Sequence, residues 1–201
     1  MVRFFNHLKL KYEGENIIMN VYFDMEFEGL RKDAKVISLG MVTDDGKELY
    51  FEFDDIDVNN QDQWVKDNVL ANTALYGNKD VNQMTTEDNY YKGNKEQAKG
   101  VLLHWLNQFD EVQFVSDVCH FDFVFLIDIF GSAFDLPKNV CPFCYDINQD
   151  IMNYFWISEK EAFDCSREEV LTNIGVEIKG DKHNSMYDAR VIRAIYDACH
   201  E

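Results

Sequence analysis

Long apolar segments and basic residues are both scarce in this chain of 201 residues. No apolar run approaches the about 20 residues that span a bilayer, and the N-terminal segment lacks the apolar core and small-residue cleavage site of a signal peptide. These absences argue against a membrane-spanning helix, and we expect a cytoplasmic protein with no membrane partner. Hydrophobic residues make up 46% of the chain, which is enough for a folded core and argues against a disordered chain.

The shortage of basic residues limits the kinds of partner that the chain can bind. Lys and Arg number 19 against 37 Asp and Glu, which gives a net charge of −18 at pH 7. Broad electrostatic binding of long nucleic acid needs many contacts from Lys or Arg to phosphate, and this composition disfavours it. We expect most acids, such as those in FEFDDID (51–57), to form a solvated surface, while some could serve metal ions.

The cysteines argue against a disulfide framework and against a zinc site. There are five, an odd number, in a chain large enough to fold without crosslinks. Cys141 and Cys144 form a close pair in CPFC, but no further ligands follow at a spacing that zinc would need. We therefore expect reduced, partly buried thiols.

The first part of the chain has the pattern of an antiparallel meander. NVYFDMEF (20–27) predicts a strand, and residues 35–53 predict a hairpin with its turn at Asp45-Gly46. The pattern weakens over 54–93, where we expect an irregular insertion.

Helices and strands alternate after the insertion. Helices are predicted for 95–109, 120–130, 166–175 and 184–199, with one short helix in 62–70 inside the insertion, and strands for 111–117 and 144–148. Strands followed by helix–strand alternation predict an α/β fold in which helices flank a mixed sheet. In that sheet we expect an antiparallel meander followed by parallel strands.

The first predicted strand carries two acids on one face. Side chains alternate along a strand, so Asp24 and Glu26 share one face at roughly 7 Å, while the other face is apolar: Val21, Phe23, Met25 and Phe27. Two like charges repel one another, and burial would raise their pKa values. The pair is explained either by a solvated sheet edge or by a divalent cation that neutralises it.

Three further residues extend this acid pair into a set. Asp122 lies early in the helix that follows EVQFVSD, and His183 precedes Asp188 by five positions in HNSMYD. The order resembles the DEDDh branch of the 3′-5′ exonucleases. WVKDNVL, SDVCHFD and HNSMYDA are similar to motifs of the small bacterial and phage exoribonucleases of that superfamily, and the likeness covers nearly everything after Met19.

The resemblance implies a ribonuclease H-like fold and a two-metal nuclease. Asp24, Glu26, Asp122 and Asp188 would hold two Mg²⁺ or Mn²⁺ ions, which prefer carboxylate oxygens. His183 would be the catalytic base, since its side chain titrates near neutrality.

Simpler roles remain open for these residues. The strand acids could be surface charges, Asp122 could interact with a helix dipole, and His183 could be a polar residue beside a helix. Asp117 and Asp128 are nearby acids, and Asp117 is expected to cap the helix that contains Asp122.

Three positions after the strand acids bear on substrate binding. Leu30 falls where relatives often place an apolar wedge against the last base, and Glu28 replaces a Thr that relatives carry near the terminal sugar. Phe27 and Trp64 could stack on bases, although aromatic side chains are core residues by default.

We therefore expect a metal-dependent 3′-5′ exonuclease that acts on short single-stranded ends and releases nucleoside monophosphates. The resemblance alone favours RNA over DNA as the substrate. It also implies that the protein acts in a bacterial cell or a phage-infected host. A homodimer is one expected assembly. The alternative is a catalytically inactive acidic protein that mimics or binds nucleic acid.

The resemblance also bears on the first residues. Relatives begin almost directly with the acid-bearing strand, and the codons of Glu13-Gly14-Glu15 can spell a purine-rich ribosome-binding sequence upstream of Met19. We expect translation to start at Met19, residues 1–18 to be an extension, and 19–201 to form one domain. The alternative is an extra strand in HLKLKY (7–12).

Overall fold

The computed structural model describes residues 18–200. The strand considered for 7–12 lies outside the described residues, as does the expected extension over 1–18 apart from Ile18, the first residue of β1. Within the described range, no helix combines the length and apolarity needed to cross a bilayer.

Six strands form one mixed sheet in the order β4-β3-β2-β1-β5-β6. The strands are β1 Ile18–Phe27, β2 Val36–Thr43, β3 Glu48–Phe53, β4 Tyr90–Gly93, β5 Glu111–Ser116 and β6 Val140–Asp146. β1, β2 and β3 pair antiparallel, whereas β5 is parallel to β1 and β6 is parallel to β5. The predicted meander followed by parallel strands is confirmed. β4, parallel to β3, was not predicted.

The hairpin between β2 and β3 closes where the sequence indicates. Gly46 adopts a φ of 83°, a left-handed value that glycine reaches without steric cost, and its N–H donates to the Thr43 carbonyl at 3.0 Å.

The helices cover both faces of the sheet. They are α1 Gln63–Asn68, α2 Ala74–Gly77, α3 Lys95–Leu106, α4 His120–Phe130, α5 Asn148–Phe155, α6 Glu159–Asp164, α7 Arg167–Ile174 and α8 Ser185–His200. The five predicted helices, α1, α3, α4, α7 and α8, are confirmed. α2, α5 and α6 were not predicted; each has eight residues or fewer, which leaves a periodic pattern little length in which to repeat, although α1 and α7 are equally short and were predicted.

Successive side chains of β1 point to opposite faces of the sheet and pack into two different cores. Val21, Phe23 and Met25 pack in one core with α3 and α4. Tyr22 packs in the other core, which contains α5, α7 and α8. Asp24 shares the parity of Tyr22 and therefore lies on the face that α8 covers.

The start of α8 is pressed against the sheet at β2. A Cβ on Gly40 would collide with the backbone of Ser185, and the Ser185 hydroxyl donates to Ser38 Oγ at 2.9 Å. Gly40 is also the β2 partner of Asp24 in the β1–β2 register. This close approach places the first turn of α8, which contains Asp188, beside Asp24.

Candidate active site

Three acids from two distant segments converge at the end of β1. Asp24 and Glu26 lie on β1, and Asp188 lies in the first turn of α8. One carboxylate oxygen from each residue lies within 4.8 Å of the other two. All three line a cavity of about 380 Å³, which we call the catalytic cavity.

Asp122 is held beside this group by the backbone of β1. β5 pairs with β1 only as far as Tyr22, and farther along β1 the N–H of Met25 donates to Asp122 Oδ1 at 2.9 Å. Asp122 is 5% exposed and lines the catalytic cavity, but it lies outside the group of three. The structure thus gathers three of the four predicted metal ligands tightly and positions the fourth next to them.

His183 lies at the edge of the acid group, just before α8. Its φ of 61° is left-handed, and its backbone N–H donates to Asp188 Oδ2 at 3.0 Å. Its ring Nδ1 lies 4.0 Å from Glu26 Oε1, and its imidazole and the Trp64 ring pack edge to face with centroids 5.1 Å apart. A left-handed non-glycine residue is strained, and here the Asp188 hydrogen bond holds it.

The acid group is electrostatically unfavourable without a cation. Burial, followed by repulsion from the neighbouring carboxylates, raises the pKa values of Asp24 and Glu26 well above their usual range. Burial also raises the pKa of Asp122 to about 8 and that of Asp188 to about 7. Clustered carboxylate oxygens whose charges repel are the donor set that a hard divalent cation prefers, so these residues fit Mg²⁺ or Mn²⁺.

The pKa of His183 moves in the opposite direction. Burial and the charge of Lys182 lower it below the usual value of 6.5, although Glu168 opposes the shift. The imidazole is therefore neutral at pH 7 and able to accept a proton.

The three predicted substrate residues lie in different environments. Phe27 lines the catalytic cavity and stacks on Phe125 with ring centroids 4.6 Å apart, and Leu30 lines the cavity with 67% of its surface exposed. Glu28 lies outside the cavity lining. Its carboxylate accepts a hydrogen bond from the Gln61 side-chain amide at 2.5 Å and lies 3.7 Å from Arg31.

Trp64 and Phe27 differ in burial. The expectation that aromatic side chains belong to the core holds for Phe27, which packs against the α3–α4 core. It is wrong for Trp64, which is 55% exposed beside His183.

An ion pair that the sequence did not predict forms one wall of the catalytic cavity. Arg167, the first residue of α7, binds Asp117 through two contacts, one of them from Nη2 to Oδ1 at 2.8 Å, and the Asn148 amide donates to the same carboxylate at 2.8 Å. The expectation that Asp117 caps α4 is wrong, because the capping position is Cys119 and no side chain makes that bond. Fifty positions separate the ion-pair partners, so no local pattern could reveal them.

A known protein family matches nearly the whole chain. A family model described as the 3′-5′ exoribonuclease Rv2179c-like domain matches residues 19–200. No curated protein matches the chain in sequence.

Several solved nucleases share the fold. Pop2p of S. pombe, in its Mg²⁺- and Mn²⁺-bound form, has a TM-score of 0.61 at 13% identity, with 88% of this chain and 81% of that chain covered. The nuclease domain of 3′hExo, a DEDDh family member bound to rAMP, has a TM-score of 0.59 at 12% identity, with 90% and 93% covered. A 3′-exonuclease that recognises the histone mRNA stem-loop has a TM-score of 0.54 at 13% identity, with 96% and 69% covered. The predicted ribonuclease H-like fold and the resemblance to DEDDh nucleases are confirmed.

Proposed function

Because the chain belongs to the 3′-5′ exoribonuclease Rv2179c-like family, we propose that it hydrolyses short single-stranded RNA from the 3′ end with the help of two Mg²⁺ or Mn²⁺ ions. The products would be nucleoside 5′-monophosphates. The observation that carries this proposal is the convergence of Asp24, Glu26 and Asp188 within 4.8 Å on one wall of a cavity.

The chain's own acids account for metal binding. Asp24, Glu26 and Asp188 would hold the cations, with Asp122 as the fourth acid beside them. When bound, divalent cations stabilise the negative charge that develops on the attacking and leaving oxygens of a phosphodiester. Their charge also removes the mutual repulsion of these carboxylates.

His183 is the proposed general base. Its imidazole lines the catalytic cavity and is neutral at pH 7 because its pKa is lowered by burial. A neutral imidazole can take the proton of the attacking water. The hydrogen bond from the His183 backbone to Asp188 and the contact with Trp64 orient the residue at the edge of the acid group.

The remaining lining of the catalytic cavity suits a nucleotide. Phe27 and Leu30 offer apolar surface to a base, and Arg167 and Lys182 belong to the same lining, where they pair with Asp117 and Glu168. The preference for RNA is supported by the family description and by neighbours whose ligands are rAMP and a histone mRNA stem-loop. The net charge of −18 supports short substrates, because long strands would meet repulsion beyond the site.

An oligonucleotide digestion tests the proposal. Single-stranded RNA and DNA of equal sequence, labelled at the 5′ end, are incubated with the protein in Mn²⁺ or in chelator. We expect a ladder shortened from the 3′ end, faster on RNA, that depends on Mn²⁺ and is absent with Asp24→Asn. Absence of Mn²⁺-dependent hydrolysis would contradict the proposal. It would favour the alternative, a catalytically inactive protein that mimics or binds nucleic acid. The intact acid group does not support that alternative.

Three further expectations stay predictions. The homodimer is tested by light scattering, the cytoplasmic location by fractionation, and the start at Met19 by comparing the activity and stability of a chain that begins there. Loss of activity or stability in that chain would contradict the start.

A further inference from the structure

Cys119 and Cys144 lie side by side although 25 positions separate them in the chain. The Cys119 thiol donates to the Cys144 backbone carbonyl, with 3.8 Å between sulfur and oxygen, and the two side chains also interact with each other. Cys141, the neighbour of Cys144 in CPFC, lies elsewhere, with its sulfur 3.9 Å from Glu111 Oε1. The pair that is close in space is therefore not the pair that is close in the sequence.

The turn after β5 places Cys119 against the end of β6. Ser116, the last residue of β5, pairs with Asp146, the last residue of β6. The backbone N–H of Cys119 then donates to Asp146 Oδ2 at 3.2 Å. Cys144 precedes Asp146 by two positions, so the turn holds Cys119 against the part of β6 that carries Cys144.

The same turn connects two parts of the catalytic cavity. Asp117 and Val118 line the cavity, and so does Asp122, which follows Cys119 by three positions in the first turn of α4. Val118 adopts a φ of 51°, a left-handed value that is strained for a β-branched residue. A bond formed at Cys119 would therefore act on a strained turn that positions an acid of the proposed metal site.

The two thiols differ in reactivity. A hydrogen bond with the Cys144 side chain lowers the pKa of the Cys119 thiol below its usual value, although burial and nearby carboxylates oppose this shift. The same interaction, together with burial, raises the pKa of the Cys144 thiol. Both residues are partly exposed. Because the thiolate is the form that attacks an oxidant, Cys119 is the nucleophile of the pair and Cys144 is the second thiol.

We propose that Cys119 and Cys144 are a modification site at which a hydroperoxide forms a disulfide, and that this disulfide lowers hydrolysis in the catalytic cavity. Both residues are free thiols in the structure, which therefore represents the reduced state. The formation of the disulfide is independent of the proposed function, whereas its effect on hydrolysis rests on that function.

The chemistry requires the two cysteines and hydrogen peroxide. The Cys119 thiolate attacks one peroxide oxygen, so a sulfur–oxygen bond forms and the oxygen–oxygen bond breaks. The leaving hydroxide takes up the proton that Cys119 had released, and Cys119 becomes a sulfenic acid. The Cys144 sulfur then attacks the Cys119 sulfur, the sulfur–oxygen bond breaks, and hydroxide leaves with the Cys144 proton as water. Both sulfurs are oxidised, and both peroxide oxygens are reduced to water.

Closing the disulfide changes the geometry at the start of α4. The two sulfurs must approach to about 2 Å, which is closer than two thiols in contact. This movement draws the start of α4 toward β6 and shifts Asp122 relative to Asp24 and Glu26. Because a displacement of about 1 Å in a catalytic site can lower turnover by about 10²-fold, we expect the disulfide to lower kcat by about ten- to hundredfold.

Peptide mapping identifies the bond. The protein is treated with hydrogen peroxide in chelator, the peroxide is removed by gel filtration, and the remaining thiols of one portion are alkylated. Trypsin cuts after lysine, which places Cys119 in the peptide 100–138 and Cys144 in the peptide 139–160. We expect these two peptides to be joined, with a mass about 2 Da below their sum because two hydrogens are lost.

Hydrolysis is measured on the portion that is not alkylated. The treated protein is assayed with Mn²⁺ on the 5′-labelled RNA, before and after reduction with dithiothreitol. We expect the loss in kcat to appear after peroxide treatment in proportion to the joined peptides, and to be reversed by dithiothreitol.

Three serine variants assign the roles of the sulfurs. Cys119→Ser should keep the wild-type rate, because Cys119 lies outside the described lining of the catalytic cavity, and should resist peroxide. Cys144→Ser should stop at the sulfenic acid, which dimedone traps in the peptide 100–138. Cys141→Ser is the matched control, because it removes the other cysteine of the peptide 139–160, and it should respond to peroxide as wild type does.

The contrary outcomes are distinguishable. Absence of joined peptides, a bond between Cys141 and Cys144, or an equal loss of activity in peroxide-treated Cys119→Ser would overturn the modification site and leave the proposed function standing. Joined peptides with an unchanged kcat would overturn the effect on hydrolysis. If the reduced wild-type protein does not hydrolyse RNA with Mn²⁺, the proposed function fails, and the peptide map still decides whether the disulfide forms.

Discussion

Two buried acid sites in this protein are built in opposite ways. Glu52 on β3 is 0% exposed, and its carboxylate accepts hydrogen bonds from the Tyr50 and Tyr90 hydroxyls and from the backbone N–H groups of Ala74 and Leu75, at 2.7 to 3.0 Å. By contrast, within residues 18–200 no hydrogen bond reaches the side-chain oxygens of Asp24 or Glu26.

The difference separates a structural acid from a metal-binding one. The donors around Glu52 compensate its loss of water and tie β3 to the start of α2. The oxygens of Asp24 and Glu26 have no such compensation, and their neighbours are other acids. A group of buried carboxylates left without donors is stable only when protons or a cation neutralise its charge.

The largest expected effect is the loss of catalysis in Asp24→Asn. The change removes one oxygen donor from the acid group, so we expect turnover of an RNA oligonucleotide with Mn²⁺ to fall by at least about 10³-fold. Circular dichroism should show an unchanged fold. Retention of more than a tenth of the wild-type rate would show that Asp24 does not act in metal binding.

His183 and Asp188 should separate proton transfer from metal binding. We expect His183→Ala to lose about 10²- to 10⁴-fold in turnover, the usual contribution of a positioned general base, while its Mn²⁺ affinity changes little. Asp188→Asn should lose both activity and affinity. Single-turnover rates and calorimetric Mn²⁺ titrations measure the two effects. Equal losses of affinity in both variants would contradict the assignment.

Glu52→Gln should destabilise the fold while leaving the catalytic rate of the folded molecules nearly unchanged. An amide replaces one acceptor oxygen with a donor, so at least one of the four hydrogen bonds is lost and its buried donor is unpaired. We expect the free energy of unfolding to fall by about 2–4 kcal/mol, as measured in urea. The rate per folded molecule should remain within a few fold of wild type. A variant as stable as wild type would show that the donors around Glu52 do not act as described.

The pH dependence of stability in chelator should reveal the uncompensated acids. Burial raises the pKa of Asp188 to about 7 and that of Asp122 to about 8, from an ordinary value of 3.8. Between these values the folded state binds more protons than the unfolded state, so the stability that these two acids contribute is fully present below about pH 4 and is lost as the pH rises to about 8. Added Mn²⁺ should reduce this decline, and a flat profile in chelator, measured by urea titrations, would contradict the raised pKa values.

Local patterns revealed much of the site but not its surroundings. The alternation of β1 put Asp24 and Glu26 on one face, and the similarity of HNSMYDA to a known motif pointed to His183 and Asp188. Each of these signals is carried by residues that lie only a few positions apart in the chain, which is why the sequence alone could identify them.

Long-range contacts account for what the sequence did not reveal. Glu52 stands in FEFDDID, which reads as a solvated acidic run, yet donors from residues 74, 75 and 90 surround it. The pair of Arg167 with Asp117 likewise depends on how α7 packs against the end of β5.

The most direct test of the central claim is a Mn²⁺ titration of thermal stability. Metal that binds only the folded state raises the melting temperature with concentration by mass action. We predict such a rise for wild type and a much smaller one for Asp24→Asn, which should melt at a higher temperature than wild type in chelator because one repulsive charge is gone. If the chelated and Mn²⁺-loaded wild-type proteins melt alike across the concentration range, the acid group is not a metal site.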